Sequence, residues 1–318
     1  LEFRRVLFRS CIAVNNGTSA LHLALSLSQI KGKEVILPSL SFVSTAHAVI
    51  YNGGTPVFTD IDPNTLCIDP DHVQSLVTSK TRLVLPVHFA GMSCDLDSLD
   101  RICIDNKIDL IEDAAHAAGT RYNHKKIGSH SMAVCFSFHP VKNLGMPTGG
   151  AITLNGKSSS KTRKILDSMR WCGISNRKDW NYDITRLGWN YYMNEFSAGI
   201  GLDQLKKLDK LNAKRRNIAN RYYSEIKIDG KMPLSRECSY HFYWILVKNR
   251  NRFMRELRDE GIETGVHYKP IHQMTYYKSK TKLATTENVG NQIVSIPTHP
   301  NLSDNDIDRV IKAINKHS

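Results

Sequence analysis

Short apolar runs alternate with helically spaced ones through the first half of the chain. Residues 12–14, 34–37, 55–58, 82–87, 108–111, 133–138 and 150–154 are strand-sized, and residues 20–30, 44–51, 69–77 and 96–106 between them read as helices. Pro70 sits where the first turn of one of these helices tolerates a missing N–H. Continuous rather than alternating apolar strands separated by helices imply parallel pairing, with helices covering both faces of the sheet. After residue 200 the texture changes. Leu202, Leu205, Leu208, Leu211 and Ile218 keep near-helical spacing and predict a long linking helix over residues 198–223. Strands at 242–247 and 265–268, with helices at 252–260 and 304–315, then suggest a smaller α+β domain. The fold class expected is α/β, a mainly parallel sheet with helices on both faces plus that smaller C-terminal part.

A length of 318 residues suits about two domains, because single cores rarely grow past roughly 250–300 residues. The division expected is 11–200 for the large part and 201–318 for the linking helix and small part. Apolar residues at 41% and charged ones at 23% exclude a disordered chain. No apolar run approaches the ~20 residues of a membrane-spanning helix, so no membrane role is expected. The seven cysteines (11, 67, 94, 103, 135, 172 and 238) form no CxxC pair and no even disulfide framework. They read as reduced thiols of a cytoplasmic protein, and their spacing supports no metal site. The net charge of +13 raises the question of nucleic acid. Its Lys and Arg are interspersed with Asp and Glu, without interleaved aromatics, so no nucleic-acid partner is expected.

Residues 1–10, LEFRRVLFRS, resemble translated read-through of a sequencing adapter and are set apart as a non-native segment. On that reading the genuine chain starts at about Cys11, inside a strand, with an N-terminal portion missing.

Three segments carry chemistry. Gly17-Thr18-Ser19 lies between the first strand and first helix, where small residues let backbone N–H groups approach an anion at a helix N-terminus. An ordinary N-cap has the same appearance. Glu112-Asp113-Ala114-Ala115-His116 closes a strand, the position at which open α/β sheets present groups to ligands. A carboxylate there can hold a ring nitrogen protonated, though a plain turn aspartate would look alike. In Phe136-Ser137-Phe138-His139-Pro140-Val141-Lys142-Asn143, a lysine follows a buried strand among apolar residues. Desolvation lowers a lysine's pKa and makes it a Schiff-base nucleophile.

Together these segments resemble the DegT/DnrJ/EryC1/StrS family, sugar aminotransferases among the fold-type I pyridoxal-phosphate enzymes. The resemblance runs from about Cys11 to the C-terminus through NNGTSALHLAL, PSLSFVSTAHAV, PVHFAG, IEDAAHAAG, FSFHPVKNLG, GWNYYMNEFSAGIGLDQL, GVHYKPIHQ and SIPTHPNLSDNDIDRVI. It implies that Lys142 binds the aldehyde of pyridoxal 5'-phosphate and then moves the proton. By the same resemblance Asp113 pairs with the ring nitrogen, His116 contacts the 3-oxygen and Phe42 stacks on the ring. Thr18, Ser19 and Ser137 hold the phosphate, and Asn190 reaches the phosphate in the partner subunit, so that a homodimer shares its active sites. The implied substrates are a keto-sugar nucleotide and an amino-acid donor, glutamate, in the making of amino-deoxy sugars for surface polysaccharide or glycoconjugates.

Two positions depart from the family pattern: Tyr192 stands where an arginine is usual, and Pro147-Thr148-Gly149-Gly150 replaces Gly-Glu-Gly-Gly. A sugar dehydratase of the same fold is the nearest alternative, but the family's dehydratases carry histidine where this chain has Lys142. A non-enzymatic basic regulator is motivated by the charge alone.

Overall fold

A computed structural model of the chain describes residues 10–156 and 159–318. The adapter-like stretch lies outside the described residues up to residue 9. Ser10 opens the first strand, paired with Leu154, one residue ahead of the expected start.

Seven strands form the main sheet: β1 (Ser10–Val14), β2 (Glu34–Pro38), β3 (Thr55–Thr59), β4 (Thr81–Val84), β5 (Asp109–Asp113), β6 (Ala133–Ser137) and β7 (Gly150–Leu154). Their spatial order is β1-β7-β6-β5-β4-β2-β3. β7 runs antiparallel to both neighbours, and the other six share one direction. The exception has a simple cause. No helix lies between β6 and β7, and a parallel return needs a crossover that a bare loop cannot make.

Helices α1 (Gly17–Leu25), α2 (Ser44–Tyr51), α3 (Pro70–Leu76) and α4 (Leu96–Asn106) follow the first, second, third and fourth strands. The first ends short of the expected residue 30. The Ser26 hydroxyl donates to Leu23 O at 2.6 Å and Gln29 turns left-handed (φ 49), which stops the helix. One apolar cluster, with Leu21, Leu23, Val35 and Val49, lies under α1 and α2. On the other side Ile36, Val84 and Phe89 belong to a cluster that continues without a break into Tyr222, Tyr243 and Phe253.

Helix α5 (Ser159–Met169) and the hairpin β8 (Ile174–Lys178) and β9 (Asn181–Ile184) carried no expectation: α5 has only Ile165, Leu166 and Met169 as apolar residues, and most hairpin residues are exposed. The long helix, α6 (Glu195–Glu225), is 31 residues long and is capped by Asn194, whose side chain accepts from Ser197 N. The expected division at 200/201 therefore falls within α6.

Beyond it, β10 (Tyr243–Leu246) pairs antiparallel with β11 (Ile293–Ile296), beside α7 (Arg250–Asp259), α8 (Ala284–Gln292) and α9 (Asp304–His317). Residues 265–268 are not the strand expected. Only Gly265 pairs with Ser295, through N–H···O bonds of 2.9 and 2.8 Å, before the chain leaves the edge and carries His267 and Tyr268 to the cavity described below. Helix α8 lacks a cap of its own. Asp60, beyond β3, supplies it by accepting from Thr285 N at 3.0 Å, Thr286 N at 2.7 Å and the Thr286 hydroxyl at 2.6 Å.

Candidate active site

The ends of β1, β7 and β6 meet at one edge of the sheet, where Val14, Gly150 and Ser137 lie side by side in register. There the chain leaves β1 through Asn15 and Asn16 and enters α1. The Asn16 side chain caps that helix by accepting from Ser19 N at 2.8 Å. Two glycines permit the crowding. A Cβ on Gly150 would lie 2.5 Å from Asn16 O, and one on Gly17 would lie 2.7 Å from Ser137 Cβ. The N-terminus of α1 is thus pressed against the end of β6, and the positive end of its dipole faces the space above the sheet.

That space is a cavity of about 340 Å³. Its lining includes Thr18 from α1, Phe42 and Thr45 beside and on α2, Asp113 and Ser137 at the ends of β5 and β6, and His116 and Lys142 from the loops that follow those strands. Six of the eight residues singled out in the sequence (Thr18, Phe42, Asp113, His116, Ser137 and Lys142) therefore share one cavity. Ser19 does not line it; its hydroxyl donates to Asn15 Oδ1 at 2.7 Å. Asn190 is exposed and pairs through its backbone with Trp171, away from this cavity. A larger cleft of about 1140 Å³ opens between α5 and the β8–β9 hairpin, lined by Lys161, Arg177 and Arg186 among others. Four ionisable groups whose protonation is shifted by burial, Asp113, His116, Lys142 and His267, line the smaller one.

Asp113 is buried, with Oδ2 accepting from the Thr45 hydroxyl at 2.8 Å and Oδ1 from Ala115 N at 3.0 Å. Burial raises its pKa, while those hydrogen bonds and the Lys142 charge oppose the rise. Burial lowers the pKa of Lys142 from its usual 10.5 to about 8, with Asp113 opposing. Burial, then the charges of Lys142 and His267, hold His116 far below the ordinary histidine range, so it is a neutral imidazole. Its Nε2 lies 3.1 Å from the Tyr268 hydroxyl, and its buried Nδ1 has no partner among the described residues. Phe42 is 56% exposed and leans toward Tyr268, with ring centroids 6.0 Å apart.

Glu112, next to Asp113, faces the other side of the sheet. Its Oε2 is 2.8 Å from His88 Nε2, and its Oε1 accepts from Ser131 N at 2.9 Å. His88 Nδ1 accepts from Cys94 N at 3.1 Å, so its proton is on Nε2 and is donated to Glu112. This pair is wholly buried and braces β5 from behind.

Sequence reasoning assigned no role to Thr45, Tyr268, His267 or His241. Thr45 and the 267–268 pair lie in segments that carried the family resemblance, PSLSFVSTAHAV and GVHYKPIHQ, yet no local signal separates them from their neighbours. His241 lies 99 positions from Lys142, to which its Nε2 is 3.5 Å away, and no spacing argument reaches that far.

A sequence model of the DegT/DnrJ/EryC1/StrS aminotransferase family matches residues 4–315. The spore coat polysaccharide biosynthesis protein SpsC of Bacillus subtilis (strain 168) is 36% identical over 329 residues, covering 96% of this chain and 85% of SpsC. Among solved structures, PseC of Helicobacter pylori, an aminotransferase involved in the biosynthesis of pseudoaminic acid, superposes with a TM-score of 0.93 at 28% identity, over 99% of this chain and 88% of PseC. The PLP form of Spr1654 from Streptococcus pneumoniae gives 0.91 at 28% identity, over 97% and 87%.

The cavity has what pyridoxal phosphate requires. An amine made nucleophilic by burial, a buried carboxylate, an unpartnered imidazole nitrogen and a helix N-terminus crowded by two glycines all border it or lie at its edge.

Proposed function

The chain belongs to the DegT/DnrJ/EryC1/StrS aminotransferase family, whose cofactor is pyridoxal 5'-phosphate, and from that premise we propose that it moves the amino group of glutamate onto the carbonyl of a keto-sugar nucleotide. The observation that carries this reading is Lys142, whose amine burial brings to a pKa of about 8 in a cavity that also holds Asp113 and His116. The polysaccharide role printed for SpsC supports amino-deoxy sugars for surface polysaccharide or glycoconjugates as the destination.

Bound cofactor supplies an aldehyde for covalent attachment and a ring that accepts electrons from the substrate carbon. Lys142 would hold the cofactor through its aldehyde, its amine being free to do so because burial lowers its pKa, and the same amine would serve as the base and acid at the substrate carbon. Asp113 would pair with the ring nitrogen and keep it protonated. His116 would contact the 3-oxygen through Nδ1, and Phe42 would cover the ring face. Thr18 and Ser137 hold the phosphate at the α1 N-terminus, with Ser19 behind them fixing Asn15 and Asn16.

The active unit in this reading is a homodimer in which Asn190 serves the partner's phosphate. Asn190 is exposed, and near it in sequence Trp180, Leu187 and Phe196 expose apolar surface of the kind that subunit interfaces cover. Residues 11–200 would form the cofactor-binding part and 201–318 the linking helix and small part, in a cytoplasmic enzyme with reduced thiols. Among the described residues no helix is long and apolar enough to cross a membrane.

A product assay tests the reaction. Glutamate and a panel of keto-sugar nucleotides should yield an amino sugar and 2-oxoglutarate in equal amounts, and Lys142→Ala should yield neither. Loss of a hydroxyl from the sugar without amine transfer would replace the reading with a dehydratase.

A further inference from the structure

His241 stands beside the reactive lysine and has no part in the roles above. Its protonation pattern follows from a chain of hydrogen bonds that starts at a backbone carbonyl. Ala118 O can only accept, so Asn212 turns its NH2 toward it at 2.9 Å and presents Oδ1 to Asn143. Asn143 answers with its own NH2, shared between Asn212 Oδ1 and Ser239 O, each at 2.8 Å. That leaves Asn143 Oδ1 facing His241 Nδ1 at 3.1 Å, and the proton of the imidazole must therefore be on Nδ1. The remaining nitrogen, Nε2, is bare and lies 3.5 Å from Lys142 Nζ.

The ring is also held mechanically. It packs against His116 with centroids 4.7 Å apart and against Phe242 at 5.5 Å. Arg215 Nη1 donates to the His241 carbonyl at 3.2 Å. Burial, followed by the charges of Lys142 and Arg215, keeps the ring neutral.

We propose that His241 is the positioning residue of Lys142: its Nε2, fixed as an acceptor by the Asn143–Asn212 relay, takes a hydrogen bond from Lys142 Nζ whenever that amine is not bound to the cofactor. This rests on the reading that Lys142 is the amine that binds the cofactor. Each time the substrate displaces Lys142, a four-carbon side chain is released. An acceptor at one fixed point keeps its nitrogen within reach of the substrate carbon and turns its lone pair away from the ring of His241. Asn143 is the next residue after Lys142, so the same loop that carries the lysine also sets the tautomer of its acceptor.

Two substitutions and one spectrum test this. His241→Phe keeps the ring stack and removes the acceptor; His241→Gln keeps an oxygen at about the distance of Nε2. The phenylalanine variant should lose about tenfold in kcat, with KM for both substrates within about twofold, and the glutamine variant should recover most of that loss. Equal losses in both would reduce His241 to packing and overturn the proposal. In cofactor-free protein labelled with nitrogen-15 histidine, His241 should show the Nδ1–H tautomer, and Lys142→Ala should shift its Nε2 resonance. A proton on Nε2, or a resonance indifferent to Lys142→Ala, would overturn it even if the phenylalanine variant failed to fold. Borohydride labelling of wild-type protein reports separately on the underlying reading: label on a lysine other than Lys142 removes the premise, whereas label on Lys142 with a failed tautomer test removes only the role of His241.

Discussion

The Thr45 hydroxyl, on the first turns of α2, donates to Asp113 Oδ2 at 2.8 Å across 68 positions of sequence. The same hydroxyl lies 2.8 Å from Ser41 Oγ, so one threonine ties the approach to α2 to the end of β5. The carboxylate is thereby aimed from two sides, by Thr45 and by Ala115 N. Asp113→Asn should keep cofactor binding through the phosphate end of the cavity and lose about a hundredfold or more in rate, because a neutral amide cannot hold the ring nitrogen protonated. Thr45→Val removes one hydrogen bond to the charged group, of about 1.5–3 kcal/mol, and should cost about tenfold to a hundredfold in kcat/KM. Steady-state kinetics with a matched cofactor titration checks both; a near-normal rate for Asp113→Asn would refute its role.

Lys142 predicts a pH dependence of cofactor capture. With its pKa at about 8, about one lysine in ten is a free amine at pH 7, against about one in three thousand at the usual 10.5. The capture rate of cofactor-free protein, followed by absorbance, should therefore rise from pH 6 to about 8 and then level off. A rise that continues past pH 10 would show an unperturbed lysine. Lys142→Arg should capture nothing covalently, since a guanidinium does not deprotonate to attack an aldehyde.

The buried Glu112–His88 pair governs stability rather than chemistry. Glu112→Ala leaves Ser131 N and His88 Nε2 without an acceptor and should cost about 3–5 kcal/mol, read as a lower denaturation midpoint. Burial alone would raise the Glu112 pKa, but the bonds from His88 and Ser131 outweigh it and leave the folded value below the usual 4.5. A depressed carboxylate contributes its full stability above its unfolded value and loses it as pH falls through the folded one. The wild-type advantage over Glu112→Gln should thus hold at pH 6–8 and shrink below pH 4.5. An advantage that grows in acid would contradict the assignment.

Complementation addresses the shared site. Lys142→Ala chains and Asn190→Asp chains, each inactive, should regain activity when mixed, because one site of the hybrid dimer combines a normal Lys142 with a normal Asn190. The aspartate repels the cofactor phosphate, an effect larger than losing one hydrogen bond. With subunit exchange confirmed by labelled chains, a mixture that stays inactive rules out sharing through Asn190.

The layered sheet was legible in the sequence, and so were several of the side chains that line its cavity. Apolar runs such as 34–37 and 133–138 are buried on both faces, so their pattern is local and readable. Asp113 was legible as a candidate because it ends a strand, whereas Ser137 came from the family resemblance alone. Lys142 was legible because an apolar segment surrounds it. Helix α5 and the β8–β9 hairpin were not legible, since the apolar stripe of α5 is only about one turn long and the hairpin is largely exposed. Packing between distant segments set the departure of residues 265–268 from the sheet and the capping of α8 by Asp60. It also decided how the site is held: Thr45 on Asp113, Tyr268 on His116 and His241 on Lys142 join segments 68, 152 and 99 residues apart. Hydrogen bonds of this kind depend on atoms within about 3 Å, whereas periodicity constrains only which face of an element is buried.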